Sequence, residues 1–204
     1  MDNGNIAGNR RIIAAFDFDG TITTKDSLLL FLLFRIGFFR LMANAVASSL
    51  YLVGYKLHLI PNYKAKEKLF GNFYKGVPIE AFDRRCVAFA EKLTKILRPE
   101  AVAKLNWHLK QGHEVVIISA SIANWIIPWA VKNGIQHVLA TKIEVHNGLI
   151  TGKFLSRNCY GPEKLSRFLE QYPDRDSYEL YAYGDTEGDR ELLAAADHPF
   201  YRTF

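Results

Sequence analysis

Hydrophobic and polar positions change rhythm twice along this chain. The run Ile12-Ile13-Ala14-Ala15-Phe16 is continuously apolar and opens with two β-branched residues, which predicts a strand buried on both faces. From Leu28 to Phe34 apolar residues follow one another without a break, too densely for one face of a helix, and predict a helix buried on more than one side. Apolar character continues past Arg35, Gly37 and Arg40 into residues 41–55, fifteen positions without a charge, and ends near Lys56 and Pro61. Charged amphipathic helices are predicted next, over residues 63–70 and 78–97, the second with Phe82, Cys86, Phe89, Leu93 and Ile96-Leu97 at near-helical spacing.

After Arg98-Pro99 strand and helix alternate. The pattern predicts a helix over 99–111 stopped by Gly112, a buried strand over 115–118, and a helix over 122–132 kinked at Pro128 and capped at Gly134. Strands follow over 136–141 and 142–151, the latter folded back at Asn147-Gly148, then a helix over 163–172, a strand over 178–183 and a helix over 186–196. This alternation predicts an α/β fold with a parallel sheet whose first strand is 12–16. An all-helical insertion, residues 22–98, would then interrupt a core domain formed by 11–21 and 99–204. The polar, glycine-containing residues 1–10 read as a frayed end.

Charge sharpens this division. Residues 22–98 hold 13 Lys and Arg against 5 Asp and Glu, whereas the remaining residues hold 13 against 16. A basic segment within a slightly acidic framework calls for an anionic partner. Nucleic acid is a poor candidate, because the aromatic residues of the segment sit in apolar runs instead of interleaving with the basic ones. A spanning helix needs roughly 20 apolar residues, and Arg35 and Arg40 break the one window long enough. Two readings stay open for the apolar stretch: a helical hairpin packed internally or against another subunit, and a basic amphipathic helix at a membrane surface. Cys86 and Cys159 form no CxxC pair and no signal peptide precedes Ile12, so a cytoplasmic setting is expected. The six histidines lack metal-ligand spacing, which leaves a zinc site unsupported.

The chemistry lies where predicted strands end, because an open α/β sheet gathers those positions into one crevice. Strand 12–16 runs into Asp17 and Asp19, strand 115–118 into Ser119, and strand 178–183 into Gly184-Asp185 with Asp189 one helical turn on. Lys164 stands near a helix start after Gly161-Pro162. Each has a plainer reading alone: Ser119 as a helix cap, Lys164 as a solvated lysine, Asp185 as a turn residue. Together they make a cluster of carboxylates with one hydroxyl and one ammonium.

Asp17-Phe18-Asp19-Gly20-Thr21, Ser119, Lys164 and Gly184-Asp185-Thr186-Glu187-Gly188-Asp189 resemble, in this order, the four motifs of the haloacid dehalogenase superfamily of phosphohydrolases. The resemblance spans residues 12–198, and the helical insertion is similar to the cap of the phosphoserine phosphatase-like branch. It implies a Rossmann-like core and a phosphoric monoester hydrolase in which Asp17 is the nucleophile, forming an aspartyl-phosphate, and Asp19 the general acid and base. It further implies Mg2+ held by the carboxylates of Asp17 and Asp185 and the backbone carbonyl of Asp19, with Asp189 in or next to that shell. Ser119 and the amide of Ala120 would hold phosphate oxygens at a helix start, Lys164 would offset charge, and Thr21 would order the loop and touch the phosphoryl group. Asp26 occupies the position where phosphoserine phosphatases carry a glutamate that reads the substrate amino group, yet it serves equally as a helix cap.

In character, though not in motif, the insertion resembles the cap of phosphatidylglycerophosphatase C-type members, through its apolar helices, Arg35, Arg40, Lys56 and the Lys64, Lys66 and Lys68 cluster. A lipid phosphate such as phosphatidylglycerophosphate, met at the inner face of a membrane, is therefore the first expected substrate. A small soluble ester, phosphoserine-like or a sugar or polyol phosphate, is the alternative. A phosphomutase is disfavoured, as the insertion offers no residue to retain and return a phosphoryl group. A catalytically silent membrane-associated module would predict decay of the catalytic set, which is complete here.

Overall fold

The structure, a computed structural model, describes residues 10–37, 62–155 and 157–204. Arg40, Lys56, the side chain of Arg35 and the apolar stretch 41–55 lie outside the described residues. In chain order the elements are β1 (Arg11–Phe16), α1 (Ser27–Ile36), α2 (Asn62–Tyr74), α3 (Ile79–Leu93) and α4 (Pro99–Lys110). They continue with β2 (Glu114–Ile122), α5 (Ala123–Lys132), β3 (His137–Thr141), β4 (Ile143–His146) and β5 (Leu149–Phe154). The last are α6 (Pro162–Gln171), β6 (Tyr178–Gly184), α7 (Arg190–Ala194) and β7 (His198–Tyr201).

Five strands form a parallel sheet in the order β3-β2-β1-β6-β7, with β1 at its centre. Phe16 pairs with Ile117 on one side and Tyr183 on the other, so the carboxyl ends of β1, β2 and β6 come level. Strand residues alternate between two cores, as the twofold period of a strand requires. Ala14, Phe16, Val115 and Ile117 face one cluster, while Ile13, Ala15, Val116, Ile118, Leu180 and Ala182 face the other with Phe168 and Tyr172 of the α6 side.

The first cluster does not stop at the sheet. It takes in Leu28, Phe31 and Leu32 of α1, Phe70 and Tyr74 of α2, and Phe82, Cys86 and Phe89 of α3. Phe31 stacks on Trp125 of α5 at 4.7 Å and meets Phe82 and Phe89 edge-on. The antiparallel β4-β5 pair turns at Asn147 and Gly148, both at positive φ, and carries α2 on its surface. That contact is backbone on backbone: a Cβ on Gly71 would lie 2.9 Å from the Gly152 carbonyl oxygen.

Three expectations need correction. Leu29 and Phe34 are 49% and 41% exposed, so α1 buries one face rather than several, although Phe34 also lies against Phe89 and Lys92 of α3. The expected helix 186–196 divides into a 3-10 turn over Glu187–Asp189 and the short α7, because Asp189 folds back to cap that turn. β7 was not anticipated; at the sheet edge Pro199, which lacks an N–H, is tolerated. Among the described residues no helix is long and apolar enough to cross a membrane.

Candidate active site

Asp17 follows directly on β1, its amide still donating to the Tyr183 carbonyl at 2.9 Å, so the sheet fixes its backbone. Its carboxylate meets Lys164, which enters from the first turn of α6. Pro162 at the start of that helix and Gly161 at φ 61 set the entry angle. The ammonium bridges two acids, with Nζ 2.6 Å from Asp17 Oδ1 and 2.5 Å from Asp189 Oδ1. All three groups are sealed from solvent, at 2%, 6% and 1% exposure for Lys164, Asp17 and Asp189. An ion pair this deep survives only when further hydrogen bonds complete it. Asp189 Oδ2 supplies them, accepting from the amides of Asp185 and Thr186 at 3.2 and 3.0 Å and from Thr186 Oγ1 at 3.0 Å.

Asp185, half-buried at the end of β6, accepts from Thr21 Oγ1 at 3.0 Å. Here Gly20 is required: it sits at φ +85, and a Cβ there would lie 2.3 Å from Asp185 Oδ2. Arg98 holds the same loop by donating from Nε to the Gly20 carbonyl at 3.1 Å. Asp19 turns away from the bridge. Its Oδ1 accepts from the Ser27 amide at 2.9 Å and its Oδ2 from the Ser121 hydroxyl.

Burial lifts the Asp17 carboxyl from its ordinary 3.8 to about 7, against the opposing pull of Lys164. Burial also raises Asp19, helped by the Asp26 charge and opposed by the Ser121 and Ser27 hydrogen bonds, and it raises Asp185 against the Thr21 hydrogen bond. For Lys164 burial favours the neutral amine, but Asp17 and Asp189 outweigh it and hold the group above its ordinary range.

One carboxylate oxygen from each of Asp17, Asp185 and Asp189 lies within 4.8 Å of the other two. Three carboxylates against one ammonium leave about two negative charges, and an all-oxygen donor set of that charge fits a hard divalent cation such as Mg2+. Asp189 has both oxygens engaged by Lys164 and the 185–186 backbone, which leaves Asp17 and Asp185 as the better placed donors.

Ser119 is buried at the carboxyl end of the sheet, but not at a helix start as expected. β2 runs on to Ile122, which pairs with Thr141 after a register shift, and α5 begins only at Ala123. The reason is local: Ser119 Oγ accepts from the Ser121 amide at 3.0 Å, while the Ala120 carbonyl accepts from Thr141 Oγ1 at 3.1 Å. Asp26 stays exposed outside the cluster and caps α1, accepting from the Leu29 amide at 3.0 Å. Sequence reasoning missed Ser27, Ser121, Trp125 and Arg98; the two serines stand next to singled-out residues, Asp26 and Ala120, which was the one signal available.

A profile of haloacid dehalogenase-like hydrolases matches residues 14–194. The chain belongs to this family. Protein CicA of Caulobacter vibrioides is 34% identical to this hydrolase over 199 residues, covering 97% of this chain and 88% of the relative. A Mycobacterium tuberculosis protein named "Probable phosphatase" is 29% identical over 205 residues, covering 96% and 70%. Among solved structures, a Bordetella pertussis protein of unknown function superposes with a TM-score of 0.75 at 24% identity, covering 93% of this chain and 89% of that one. A phosphoserine phosphatase from T. onnurineus superposes at 0.60 with 21% identity, covering 94% and 84%. The haloacid dehalogenase-like hydrolase described here is thus an enzyme, with phosphatases among its named relatives and neighbours.

Proposed function

We propose that this hydrolase cleaves phosphate monoesters through an aspartyl-phosphate on Asp17. The observation that carries the reading is the buried bridge from Lys164 to Asp17 and Asp189, set beside Asp185 at the level ends of β1 and β6. Phosphoryl transfer is mostly positioning and charge stabilisation, and the bridge keeps an anionic nucleophile aligned while offsetting its repulsion from a phosphate dianion. Asp17 attacks phosphorus as the bond to the ester oxygen breaks, and Asp19 gives that oxygen its proton. Water then attacks the phosphorus of the aspartyl-phosphate, returns a proton to Asp19 and frees Asp17 with release of inorganic phosphate. Asp17 and Asp185 would hold Mg2+, which would supply charge neutralisation at the phosphoryl oxygens. Ser119 and the Ala120 amide contact the phosphate, and Thr21 orders the loop beneath it.

For substrate we favour a lipid phosphate over phosphoserine. Asp26 caps α1 through Oδ1 and is shorter than the glutamate that phosphoserine phosphatases carry at that position, which weakens the case for an amino-group reader there. The exposed side of α1 and α3 combines Leu29, Phe34 and Val87 with Arg84, Arg85 and Lys92, whose ammonium lies 4.9 Å over the Phe34 ring. Such a surface suits an anionic, partly apolar ligand. Inorganic phosphate release should be measured with phosphatidylglycerophosphate in micelles beside phosphoserine and sugar phosphates, with and without magnesium. A preference of about tenfold in kcat/KM for the lipid, or about 1.4 kcal/mol, is expected. A preference for a soluble ester refutes the lipid reading, and no turnover of any ester refutes the phosphatase.

A further inference from the structure

Asp19 is anchored by a hydrogen-bonded chain whose direction is fixed at its far end. Trp125 Nε1 lies 3.0 Å from Ser27 Oγ, Ser27 Oγ lies 3.1 Å from Ser121 Oγ, and Ser121 Oγ contacts Asp19 Oδ2. An indole nitrogen only donates. Ser27 therefore accepts from Trp125 and has its own proton free for Ser121, which in turn has its proton free for Asp19. The Ser27 amide occupies the other oxygen, Oδ1, at 2.9 Å. Trp125 and Ser27 are fully buried and Ser121 is 3% exposed, so solvent does not compete for these hydroxyls.

With both oxygens already accepting hydrogen bonds, a proton carried by Asp19 must take a lone pair not directed at Ser27 or Ser121. We propose that Ser121, oriented by Ser27 and Trp125, is a positioning residue that turns the Asp19 carboxyl so that its proton points at the ester oxygen of the leaving group. Ser27 is the first residue of α1, so the same chain registers the insertion helix on the acid. The inference rests on the phosphatase reading above and concerns only the proton delivered as the ester bond breaks.

The test is leaving-group dependence. An alkyl ester needs a proton on its departing oxygen and an aryl ester barely does, whereas a general packing defect slows both alike. kcat/KM, which reports the steps through ester cleavage, should be measured with magnesium for 4-nitrophenyl phosphate and glycerol phosphate on the wild type, Ser121→Ala, Ser121→Thr and Trp125→Phe. In Ser121→Ala the alkyl-to-aryl ratio should fall by about tenfold or more, and Ser121→Thr should restore it to within about threefold. Trp125→Phe, which keeps a ring against Phe31 but loses the N–H donor together with part of the indole volume, should lower the ratio in the same direction, whereas the packing defect alone slows both esters alike, and it decides the matter if Ser121→Ala fails to fold. An unchanged ratio in the folded variants overturns the inference while leaving the phosphatase intact. A wild type that turns over neither these two esters nor phosphatidylglycerophosphate overturns the phosphatase reading and the inference with it.

Discussion

Replacing Asp17 by Asn should abolish turnover and yet stabilise the metal-free protein, by an amount that grows with pH. Asp17 is 6% exposed, and burial raises its carboxyl from 3.8 to about 7. A carboxyl with a higher pKa folded than unfolded binds more protons in the native state across that interval. Stability is then greatest at low pH and falls as pH rises toward 7. At 1.36 kcal/mol per pH unit the loss accumulates to about 2 kcal/mol by pH 5.5 and to about 4 kcal/mol above pH 7. Asn is neutral throughout and nearly isosteric, and its carbonyl still offers Lys164 an acceptor where Oδ1 now stands 2.6 Å away. Urea denaturation in excess chelator at pH 5.5 and 8 should show the variant more stable at both, with the larger gain at pH 8. Added magnesium should narrow the gap by stabilising the wild type alone. A variant less stable than wild type at pH 8 in chelator, or a gain that does not increase with pH, refutes the argument that Asp17 is held ionised against its burial.

Lys164→Met leaves Asp17 and Asp189 buried without their shared cation and should cost about 3–5 kcal/mol in urea denaturation at pH 8, besides turnover. Gly20→Ala combines a left-handed backbone with a Cβ 2.3 Å from Asp185 Oδ2, worth about 1–3 kcal/mol, and should weaken magnesium binding by about tenfold or more in calorimetric titration. His108 is buried between His113 and Tyr183, and burial, with the charges of His113 and Lys104, lowers it to about 3. Its unfolded form takes up a proton first, so wild-type stability falls as pH drops below 6.5; between pH 6.5 and 5 His108→Phe should be spared about 2 kcal/mol of that loss.

Asp17 and Asp185 were legible because a parallel sheet delivers whatever ends its strands to one place, and strand ends can be read from apolar runs; Asp189 and Lys164, which enter from a 3-10 turn and from α6, were legible through the ordered motifs they complete. The helix start expected at Ser119 was not, since a serine before Ile122 looks like a cap; pairing of Ile122 with Thr141 is a tertiary fact. Ser121, Ser27 and Trp125 could not have been joined in advance: the links span 94 and 98 residues and leave no period in the sequence. α1 deceived for the opposite reason. Its apolar density predicted burial on more than one side, yet Leu29 and Phe34 face outward, so density alone does not tell a core from a surface kept apolar.

The aromatic cluster around Phe31 bears on how this enzyme can be rebuilt. Insertion helices that met the sheet domain across a polar seam could be traded between relatives as modules. Here Phe31 stacks on Trp125, and Trp125 also starts the chain that ends at Asp19. Phe31→Ala should therefore cost about 3–5 kcal/mol and melt the insertion and sheet in one cooperative transition, with circular dichroism and tryptophan fluorescence superimposing. A chimera carrying a relative's insertion would inherit the wrong partner for Trp125 unless residues of α5 travelled with it. Recombination at the chain boundaries would cut through a shared core, and new specificity is more safely sought on the outer face of α1 and α3.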